Sequence, residues 1–302
     1  MTLDQLRIFV AVAELEHVTR AARQLNLTQS AVSAAIGALE QRHDMKLFDR
    51  IGRRVALTQE GRIFLVEARA LLIASQRTEK VLTDIGSLKT GRLNIAASQT
   101  TGNYWLPPRL ARFAENYPGV GVHLTIGNTH EVAELAAGGE IDLGLVEGAV
   151  SDPLLTVTRI YDDELLVVAA PALAEPFCGA QGAEIYDSAW IDAPWVAREK
   201  GSGTREAFEE AIQSLAPIER TRRIVLELPS NEAVRAAVEA GAGLAVMSSL
   251  VARASIKAGA LVQLPFALPK RPFYVLSHRQ LYTSRAAKAM LALMLDAEPA
   301  NS

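Results

Sequence analysis

The 302-residue sequence predicts a multidomain chain with a small, mainly helical N-terminal domain, one long helix, and a larger α/β domain of two lobes. Three observations carry this prediction. Helical spacing of apolar residues, with polar capping residues between the helices, dominates residues 1–58. Residues 59–89 continue a helical pattern without proline for about four heptads. From residue 90 onward, short apolar runs alternate with helical patterns, which is typical of βαβ units.

The composition is that of an ordinary globular chain. Its 49% hydrophobic residues and net charge of −3 exclude a uniformly basic nucleic-acid coat. The charge is uneven, however. Residues 20–54 contain seven arginines and lysines against three acidic residues, a local excess of four positive charges. Because the local field attracts DNA more than the total charge does, this region is a candidate for nucleic-acid contact.

The cysteine content and the absence of long apolar runs indicate where the protein is located and which kinds of site it lacks. The single cysteine, Cys178, excludes an internal disulfide and disfavours a zinc cluster. The first residues lack the pattern of a signal peptide, and no apolar run approaches the roughly 20 residues that span a membrane. We therefore expect a cytoplasmic protein without a membrane segment, a metal or a cofactor.

The N-terminal domain, residues 1–58, is predicted to hold two capped helices in tandem after a first amphipathic helix. Leu6 and Phe9 recur at helical spacing in that first helix. Thr19 is a candidate cap for the second helix, and Thr28 is a candidate cap for the third, with a tight turn between them. Two short helices joined in this way are typical of helix-turn-helix proteins.

The third helix has the composition of a helix that reads DNA. Its apolar residues Val32, Ile36 and Leu39 lie on one face, and small or polar residues occupy the opposite face. Small residues let a helix enter the major groove, glutamine pairs with adenine through two hydrogen bonds, and serine bonds to a base or a phosphate. An ordinary solvated face is the alternative. The candidate DNA contacts on these two helices are Arg20, Thr28, Gln29, Ser30 and Ser33.

The segment LFDRIGRRVALT, residues 47–58, predicts a wing beside this helix. Its arginines surround Gly52, and residues 55–57 have the composition of a short strand. A hairpin of this kind places its arginines along the phosphate backbone or in the minor groove. The candidate contacts here are Arg50, Arg53 and Arg54.

The long helix has a clean start at Thr58 and apolar or small residues seven apart. One row is Phe64, Leu71, Thr78 and Ile85, and the companion row is Ala68, Ser75 and Leu82. Such a seam favours a coiled coil between two copies, although a helix buried against its own domain gives a similar pattern. A homodimer would present two N-terminal DNA-binding domains to two DNA half-sites about 34 Å apart, or a multiple of that distance.

The α/β domain, residues 90–302, is predicted to form two lobes with mainly parallel sheets. Lobe I comprises residues 90–162 and 268–302, and lobe II comprises residues 163–267. The chain is expected to cross between the lobes near residues 162–164 and 265–270. A cleft between two such lobes is the usual place for a small ligand.

Ligands of open α/β sheets bind at the carboxyl ends of strands, against helix N-termini. This rule selects a set rich in hydroxyl and backbone N–H groups, which favours a small anion such as a carboxylate, sulfite or sulfate. Lys200 and Arg205 would add positive charge, whereas Glu147 opposes a strongly anionic ligand. Helix capping alone is the alternative for each Ser and Thr. The candidate effector contacts are Ser98, Gln99, Thr100, Thr101, Asn128, Thr129, Glu147, Gly148, Ser202, Gly203 and Thr204, with Asn231 beside them.

These motifs occur together at fixed spacing, and residues 1–61 resemble the winged helix-turn-helix of LysR-type transcriptional regulators. The matching segments are LDQLRIFVAVAE, TRAARQLN, QSAVS, IGALE, LFDR, RRVALT and EG. The segments IDLGLVEG and VEAGAGLAVMSSLVA resemble the effector domain of that family, which is similar to two-lobed periplasmic-binding proteins. The resemblance implies a dimerising linker helix and a homotetramer built as a dimer of dimers, with RNA polymerase as a further partner. Ala34 stands where the family often has an arginine, which removes one expected base contact.

The leading hypothesis is a ligand-responsive regulator that binds double-stranded promoter DNA and changes shape when a small effector binds between its lobes. A transport-type solute-binding protein fits the second domain, but it does not fit residues 1–89 or the missing export signal. An enzyme is disfavoured because the sequence has no G-x-S-x-G, P-loop or H-E-x-x-H motif and its five histidines are scattered. We expect no catalytic residues.

Overall fold

A computed structural model describes residues 1–51, 54–86, 91–178, 193–213 and 223–296. The chain divides into two compact units, Met1–Ile85 and Gly86–Ser302. The first unit is helical with one small hairpin, and the second alternates strands and helices. The predicted fold class is therefore confirmed. Residues 87–90, between the long helix and the first strand of the second unit, lie outside the described residues.

The first unit follows the predicted order of helix, tandem helices, wing and long helix. Its elements are α1 (Leu3–Leu15), α2 (Val18–Gln24), α3 (Gln29–His43), β1 (Phe48–Ile51), β2 (Arg54–Leu57) and α4 (Gln59–Gly86). As predicted, the Thr28 hydroxyl accepts a hydrogen bond from the Ala31 N–H at 3.2 Å and caps α3. The prediction that Thr19 caps α2 is wrong, because α2 begins at Val18 and His17 stands at the cap position.

The start of α4 is bound tightly to the segment that leads into the wing. The Thr58 hydroxyl donates to the Lys46 carbonyl at 2.8 Å and accepts from the Gly61 N–H at 2.9 Å. The Thr58 N–H donates to the Leu47 carbonyl at 3.1 Å. A Cβ atom on Gly61 would collide with that same carbonyl oxygen, so this close approach requires glycine. Thr58 therefore starts the long helix as predicted.

The first turns of α4 pack against their own domain, which corrects part of the predicted coiled-coil seam. Phe64 lies against Phe9 with ring centroids 4.8 Å apart, and Ala68 is only 1% exposed in the same core. Ala68 is therefore unavailable to a partner copy, and Phe64 is partly covered by its own domain. Among the α4 side chains that the structure describes, the exposed large apolar residues are Ile63, Val66, Leu71 and Leu82, of which the last two belong to the predicted seam. Periodicity alone does not distinguish a partner from the domain's own core.

The second unit alternates strands and helices along the chain. Its strands are β3 (Gly91–Ser98), β4 (Val120–Gly127), β5 (Leu143–Glu147), β6 (Leu155–Asp163), β7 (Leu165–Ala169), β8 (Trp195–Arg198), β9 (Ile224–Leu228), β10 (Ala245–Ser248), β11 (Val262–Gln263) and β12 (Arg271–His278). Its helices are α5 (Pro107–Asn116), α6 (Thr129–Gly138), α7 (Pro171–Cys178), α8 (Gly203–Gln213), α9 (Asn231–Glu239), α10 (Ser249–Lys257) and α11 (Arg285–Leu295). A π-helical turn, Thr101–Trp105, precedes α5.

The first sheet has the strand order β4-β3-β5-β12-β6. Strands β3, β4 and β5 run parallel, whereas β12 runs antiparallel to both of its neighbours. The core on this sheet includes Phe113, Phe273 and Met290 from α5, β12 and α11. The sequence did not predict β6, an edge strand in which polar residues are interleaved with apolar ones that are buried, partly buried or, at Val157, exposed.

The second sheet is mostly antiparallel in its described pairings, which corrects the prediction of mainly parallel sheets. Strand β7 lies between β10 and β11 and runs antiparallel to both, and β8 pairs with β9 in parallel. A bridge between Trp195 and Leu244 joins the two groups. Two strands of one sheet run parallel when a helix connects them. Strands β7 and β12 are different, because the chain reaches each of them from a strand of the other sheet without an intervening helix. Within the described residues, no helix has the length and apolar content needed to cross a membrane.

Candidate functional site

The exposed face of α3 is the first candidate site, and its amphipathic pattern matches the prediction. Val32 and Leu39 are buried at 0% and 2% exposure, while Gln29 and Ser33 are exposed. Gly37 continues the exposed face, and a Cβ atom placed on it would meet nothing within 4 Å. The fold itself therefore does not require a glycine there, whereas a helix that approaches a surface closely benefits from one.

The predicted contacts at the start of α3 divide into two kinds. The Thr28 and Ser30 hydroxyls bond to each other at 3.0 Å, and Thr28 also caps the helix, so both have partners within the protein. Gln29 and Ser33 have exposed side chains pointing away from the core. Arg20 is exposed on α2. The outward-facing polar groups of this face are thus an amide, a hydroxyl and a guanidinium.

The wing is an antiparallel hairpin in which Arg50 pairs with Val55 and Ile51 pairs with Arg54. Arg54 is exposed. Arg53 lies outside the described residues, and of Arg50 only the backbone is described. The hairpin is anchored to α3 because the carboxylate of Glu40 accepts hydrogen bonds from the N–H groups of residues 47 and 48 at 2.8 and 3.2 Å. This anchor holds the wing at a fixed position relative to α3.

The predicted effector residues gather at the carboxyl ends of β3 and β5 and at the start of α8. Most of them are buried, and Thr100 and Glu147 are 0% and 3% exposed. Gln99, Asn128 and Gly148 are partly buried at the margin of this cluster. The buried members are Ser98, Thr100, Thr101, Thr129, Glu147, Ser202, Gly203 and Thr204. The strand-end rule therefore selects residues that lie together, and their role as ligand contacts stays a prediction.

Hydrogen bonds join the two sheets directly across this cluster. The Asn231 side chain donates to the Thr100 hydroxyl at 3.1 Å, and its N–H donates to the Gln99 side chain at 3.0 Å. The Tyr104 hydroxyl donates to Glu232 at 2.9 Å. Burial and this hydrogen bond raise the pKa of Tyr104 to about 12, so the phenol keeps its proton at neutral pH. The polar groups of the cluster are therefore largely paired with one another.

Several predicted contacts also serve local structure, as the capping alternative expects. Asn128 forms a reciprocal capping box with Glu131 at the start of α6. The Thr101 hydroxyl donates to the Ser98 carbonyl at 3.0 Å, and the Thr129 hydroxyl donates to the Glu147 carbonyl at 3.0 Å. These three residues hold the cluster in shape whether or not a ligand is bound.

Of the two cations considered from sequence, neither is a buried cation that is free to meet the cluster. Lys200 is exposed. Arg205 is buried, but its guanidinium bonds to Glu209, to Glu227 and to the Arg198 carbonyl. The cation that does face the cluster is Arg198, which the sequence predictions did not include.

Arg198 is 4% exposed and stands at the carboxyl end of β8. Its Nη1 donates to the side-chain Oδ1 of Asn231 at 2.5 Å, and its Nε and Nη2 donate to Glu199 at 2.7 and 2.8 Å. Asn231 in turn bonds to Thr100. The strand-end rule selected Ser202, Gly203 and Thr204, which follow β8, but it did not include Arg198, the last residue of the strand itself.

Arg271 is the second cation that the sequence predictions missed. Its Nη2 lies 2.6 Å from Asp163 and 3.9 Å from Glu147, and its Nη1 donates to Thr204 at 2.8 Å. Ser248 donates to Asp163 at 2.6 Å. Because β12 is antiparallel, its first residue stands at the same edge as the last residues of β3 and β5. A prediction of parallel strands could not place Arg271 there.

Glu147 stays ionised in this setting. Burial alone would raise the pKa of its carboxyl group, but the charge of Arg271, hydrogen bonds from Ser98 and Thr100, and the charge of Arg198 bring the pKa below its ordinary value. An ionised carboxylate accepts hydrogen bonds and donates none. The cluster thus combines buried guanidinium groups with a buried acceptor. No three His, Cys, Asp or Glu side chains among the described residues are grouped so that they could hold a metal ion.

Known proteins resemble both units of the chain. Residues 3–62 match the family described as bacterial regulatory helix-turn-helix protein, lysR family, and residues 86–299 match the family described as LysR substrate binding domain. The chain is 34% identical over 293 residues to the HTH-type transcriptional regulator YeiE of Escherichia coli strain K12, and the match covers 96% of each protein.

Solved structures share this fold. The full-length protein CbnR complexed with its target DNA has a TM-score of 0.70 at 22% identity, covering 98% of each chain. The regulatory domain of CcmR from Synechocystis PCC6803, in complex with 2-PG, has a TM-score of 0.60 at 29% identity. That match covers 68% of this chain and 96% of the CcmR domain.

Proposed function

We propose a mechanism by which this chain controls transcription. Its premise is that the chain belongs to the LysR family of bacterial transcriptional regulators and carries that family's effector-binding domain. It binds double-stranded promoter DNA through α3 and the wing. It pairs with further copies to form a dimer or a tetramer. A small effector between the two sheets of the second unit changes the conformation of the oligomer, and the change reaches transcription through RNA polymerase.

One observation carries the DNA-binding part: the capped helix α3 presents Gln29, Ser33 and Gly37 outward, and a wing with the exposed Arg54 is anchored to the same helix. Gln29 is the residue suited to reading a base, because an amide both donates to and accepts from adenine. The wing arginines and Arg20 suit phosphate oxygens. The CbnR complex with target DNA supports this use of the fold.

A salt titration tests this part without knowledge of the operator. Arg54→Ala should lower the slope of log affinity against log salt by about one unit on mixed-sequence duplex DNA, because one phosphate contact is lost. Arg112→Ala is the matched control, since it removes an exposed arginine from the second unit. Equal slopes for the wild type and Arg54→Ala would remove this wing residue from the DNA contacts.

The effector part rests on the buried polar cluster between the two sheets. Thr100, Glu147 and Arg198 come together there although they lie far apart in sequence, and each is at most 4% exposed. The CcmR regulatory domain in complex with 2-PG supports a small ligand in this domain. A thermal-shift screen of small anions tests the proposal, because a ligand that binds only the folded chain raises the melting temperature. Thr100→Val should abolish the shift while DNA affinity without effector stays unchanged.

The oligomer part rests on the apolar residues that α4 leaves exposed. Ile63 and Val66 are 65% and 66% exposed on a helix whose opposite face is buried in its own domain. Pairing of two copies would cover such a surface. Val66→Glu should shift sedimentation toward the monomer, whereas Arg62→Ala should not. An unchanged sedimentation profile for Val66→Glu would exclude this face from the interface.

A further inference from the structure

We infer that the effector is a small anion that also carries a hydrogen-bond donor, with its charge facing Arg198 and its donor meeting Glu147. The inference rests on the proposed function, in that it assumes a ligand between the two sheets of the second unit. It adds the chemical class of that ligand. The class follows from how the charges already present in the cluster are paired.

Glu147 is fixed in the cluster and cannot turn away from a ligand. Its backbone lies in β5 and pairs with Phe273, and its carbonyl accepts a hydrogen bond from Thr129. Gly203 of α8 packs so closely that a Cβ atom there would lie 2.5 Å from the Glu147 carbonyl oxygen. The side chain is 3% exposed and lies beside the hydroxyls of Ser98 and Thr100. A ligand placed beside these hydroxyls therefore meets a carboxylate.

The cations near Glu147 already have carboxylate partners. Arg271 bonds to Asp163 at 2.6 Å and lies 3.9 Å from Glu147, so two carboxylates share one guanidinium. Arg198 bonds to Glu199. A fully deprotonated oxyanion would add negative charge beside Glu147 without gaining an unpaired cation. Such a ligand is repelled in a buried site, where charges are poorly screened.

A donor on the ligand removes this conflict. A carboxylate offers about four lone-pair positions, and the Arg271 guanidinium lies 3.9 Å from one of the Glu147 oxygens. A hydroxyl group or a protonated oxyanion can donate to a remaining position. A site that contains a buried acceptor discriminates against an analogue that lacks the donor, because the acceptor is then left without a partner.

The anionic part has a place at Arg198. Its Nη1 is held by Asn231 at 2.5 Å, which fixes the guanidinium. Its other partner, Glu199, has a side chain that is 24% exposed and can return to water when a ligand anion takes its position. Exchange of one carboxylate for another keeps the charge of Arg198 balanced. The pairing therefore admits one negative group at Arg198 and one donor at Glu147.

Two pairs of small probes test this class on the full-length protein by titration calorimetry. Lactate and propionate differ by one hydroxyl group, and phosphate retains a proton at neutral pH that sulfate lacks. We expect lactate and phosphate to bind at least about tenfold more tightly than their partners. Glu147→Gln should reduce this ratio to below about threefold, because a neutral amide does not repel sulfate and its NH2 group can donate to an anion that has no donor of its own. Glu210→Gln, an exposed residue on α8, should leave the ratio unchanged.

Equal or tighter binding of sulfate and propionate would overturn the inference, as would Glu147→Gln retaining the wild-type ratio. Lack of binding by all four probes at millimolar concentration would also overturn it. If Glu147→Gln does not fold, the two probe pairs on the wild-type protein decide the matter alone. The salt titration of DNA binding is independent of these outcomes, so the proposed function can hold when the ligand class fails.

Discussion

The two candidate sites differ in how their polar groups are satisfied. On α3, Gln29 and Ser33 face solvent, and a methyl group on Gly37 would touch nothing. In the cluster of the second unit, Thr100 and Glu147 are buried and bonded to other side chains of the protein. The polar groups on the α3 face are therefore available to hydrogen-bond with an external partner, whereas most polar groups of the cluster already bond to other groups of the protein.

This difference predicts that substitutions in the two regions affect different quantities, namely DNA affinity for the α3 face and folding stability together with ligand affinity for the cluster. Substitutions on the α3 face should change DNA binding and leave folding intact, because no contact within the protein is lost. Substitutions in the cluster should change folding and ligand binding together, because a ligand has to replace bonds that the fold already makes. Four substitutions, taken from the largest expected effect to the smallest, test whether the separation holds.

Asp163→Ala should have the largest effect. It leaves Arg271 buried without its closest carboxylate, and removing one partner of a buried ion pair lowers the free energy of unfolding by about 3–5 kcal/mol. Urea denaturation of the full chain measures the loss. The neighbouring Asp162→Ala is the control, because Asp162 is exposed, and it should cause little change. Similar losses for both variants would mean that the buried Asp163–Arg271 pair contributes no more to stability than an exposed carboxylate does.

Gly203→Ala should lower the free energy of unfolding by about 1–3 kcal/mol, because its Cβ atom would lie 2.5 Å from the Glu147 carbonyl oxygen and force the backbones apart. Thermal unfolding of the second unit reports the change. Gly121→Ala is the control within the same unit, since its nearest neighbour lies 3.9 Å away. A stable Gly203→Ala variant would show that the approach of α8 to β5 is looser than described.

Gln29→Ala should relax base preference at one operator position by about 1–3 kcal/mol and leave the unfolding curve unchanged. Selection of binding sites from random duplexes, followed by affinity measurements on single-base variants, gives the preference. Loss of affinity that is equal at every site would mean that Gln29 only positions the helix. A loss of stability would contradict the separation of the two regions.

Gly37→Ala should have the smallest effect on folding and the opposite sign. Alanine favours a helix over glycine by up to about 1 kcal/mol, and nothing within 4 Å opposes its methyl group. DNA affinity should nevertheless fall, because the added methyl group crowds the groove. Fluorescence anisotropy on duplex DNA measures this fall. Unchanged affinity would mean that DNA does not approach this face closely.

Sequence patterns predicted the first unit well because its signals are local. The capping role of Thr28, the start of α4 at Thr58 and the inward face of α3 all depend on residues a few positions apart. One exception is the cap of α2, where His17 stands instead of Thr19. The other is α4, whose apolar residues include some that pack in its own domain and others that stay exposed. Phe64 and Ala68 belong to the domain's own core, and spacing alone cannot assign each row to its partner.

In the second unit, local sequence patterns predicted only part of the polar cluster. The strand-end rule found the buried hydroxyl groups because each lies next to a recognisable strand. It missed Arg271 and Asp163, which are 108 positions apart and meet only because β12 runs antiparallel to its neighbours. Strand direction depends on the path of the chain between two sheets, and no short segment of sequence contains that information.

The bonds between Thr58, Gly61 and the segment before the wing have a practical consequence for chimeric regulators. A natural splice point by sequence is residue 58, where the first domain is predicted to end. A junction there would divide one bonded unit, because the Thr58 hydroxyl bonds to the Lys46 carbonyl on one side of the junction and to the Gly61 N–H on the other. The core of the N-terminal DNA-binding domain continues to Leu72 on α4. A transplanted domain should therefore carry its own first turns of α4, and the junction belongs after that residue.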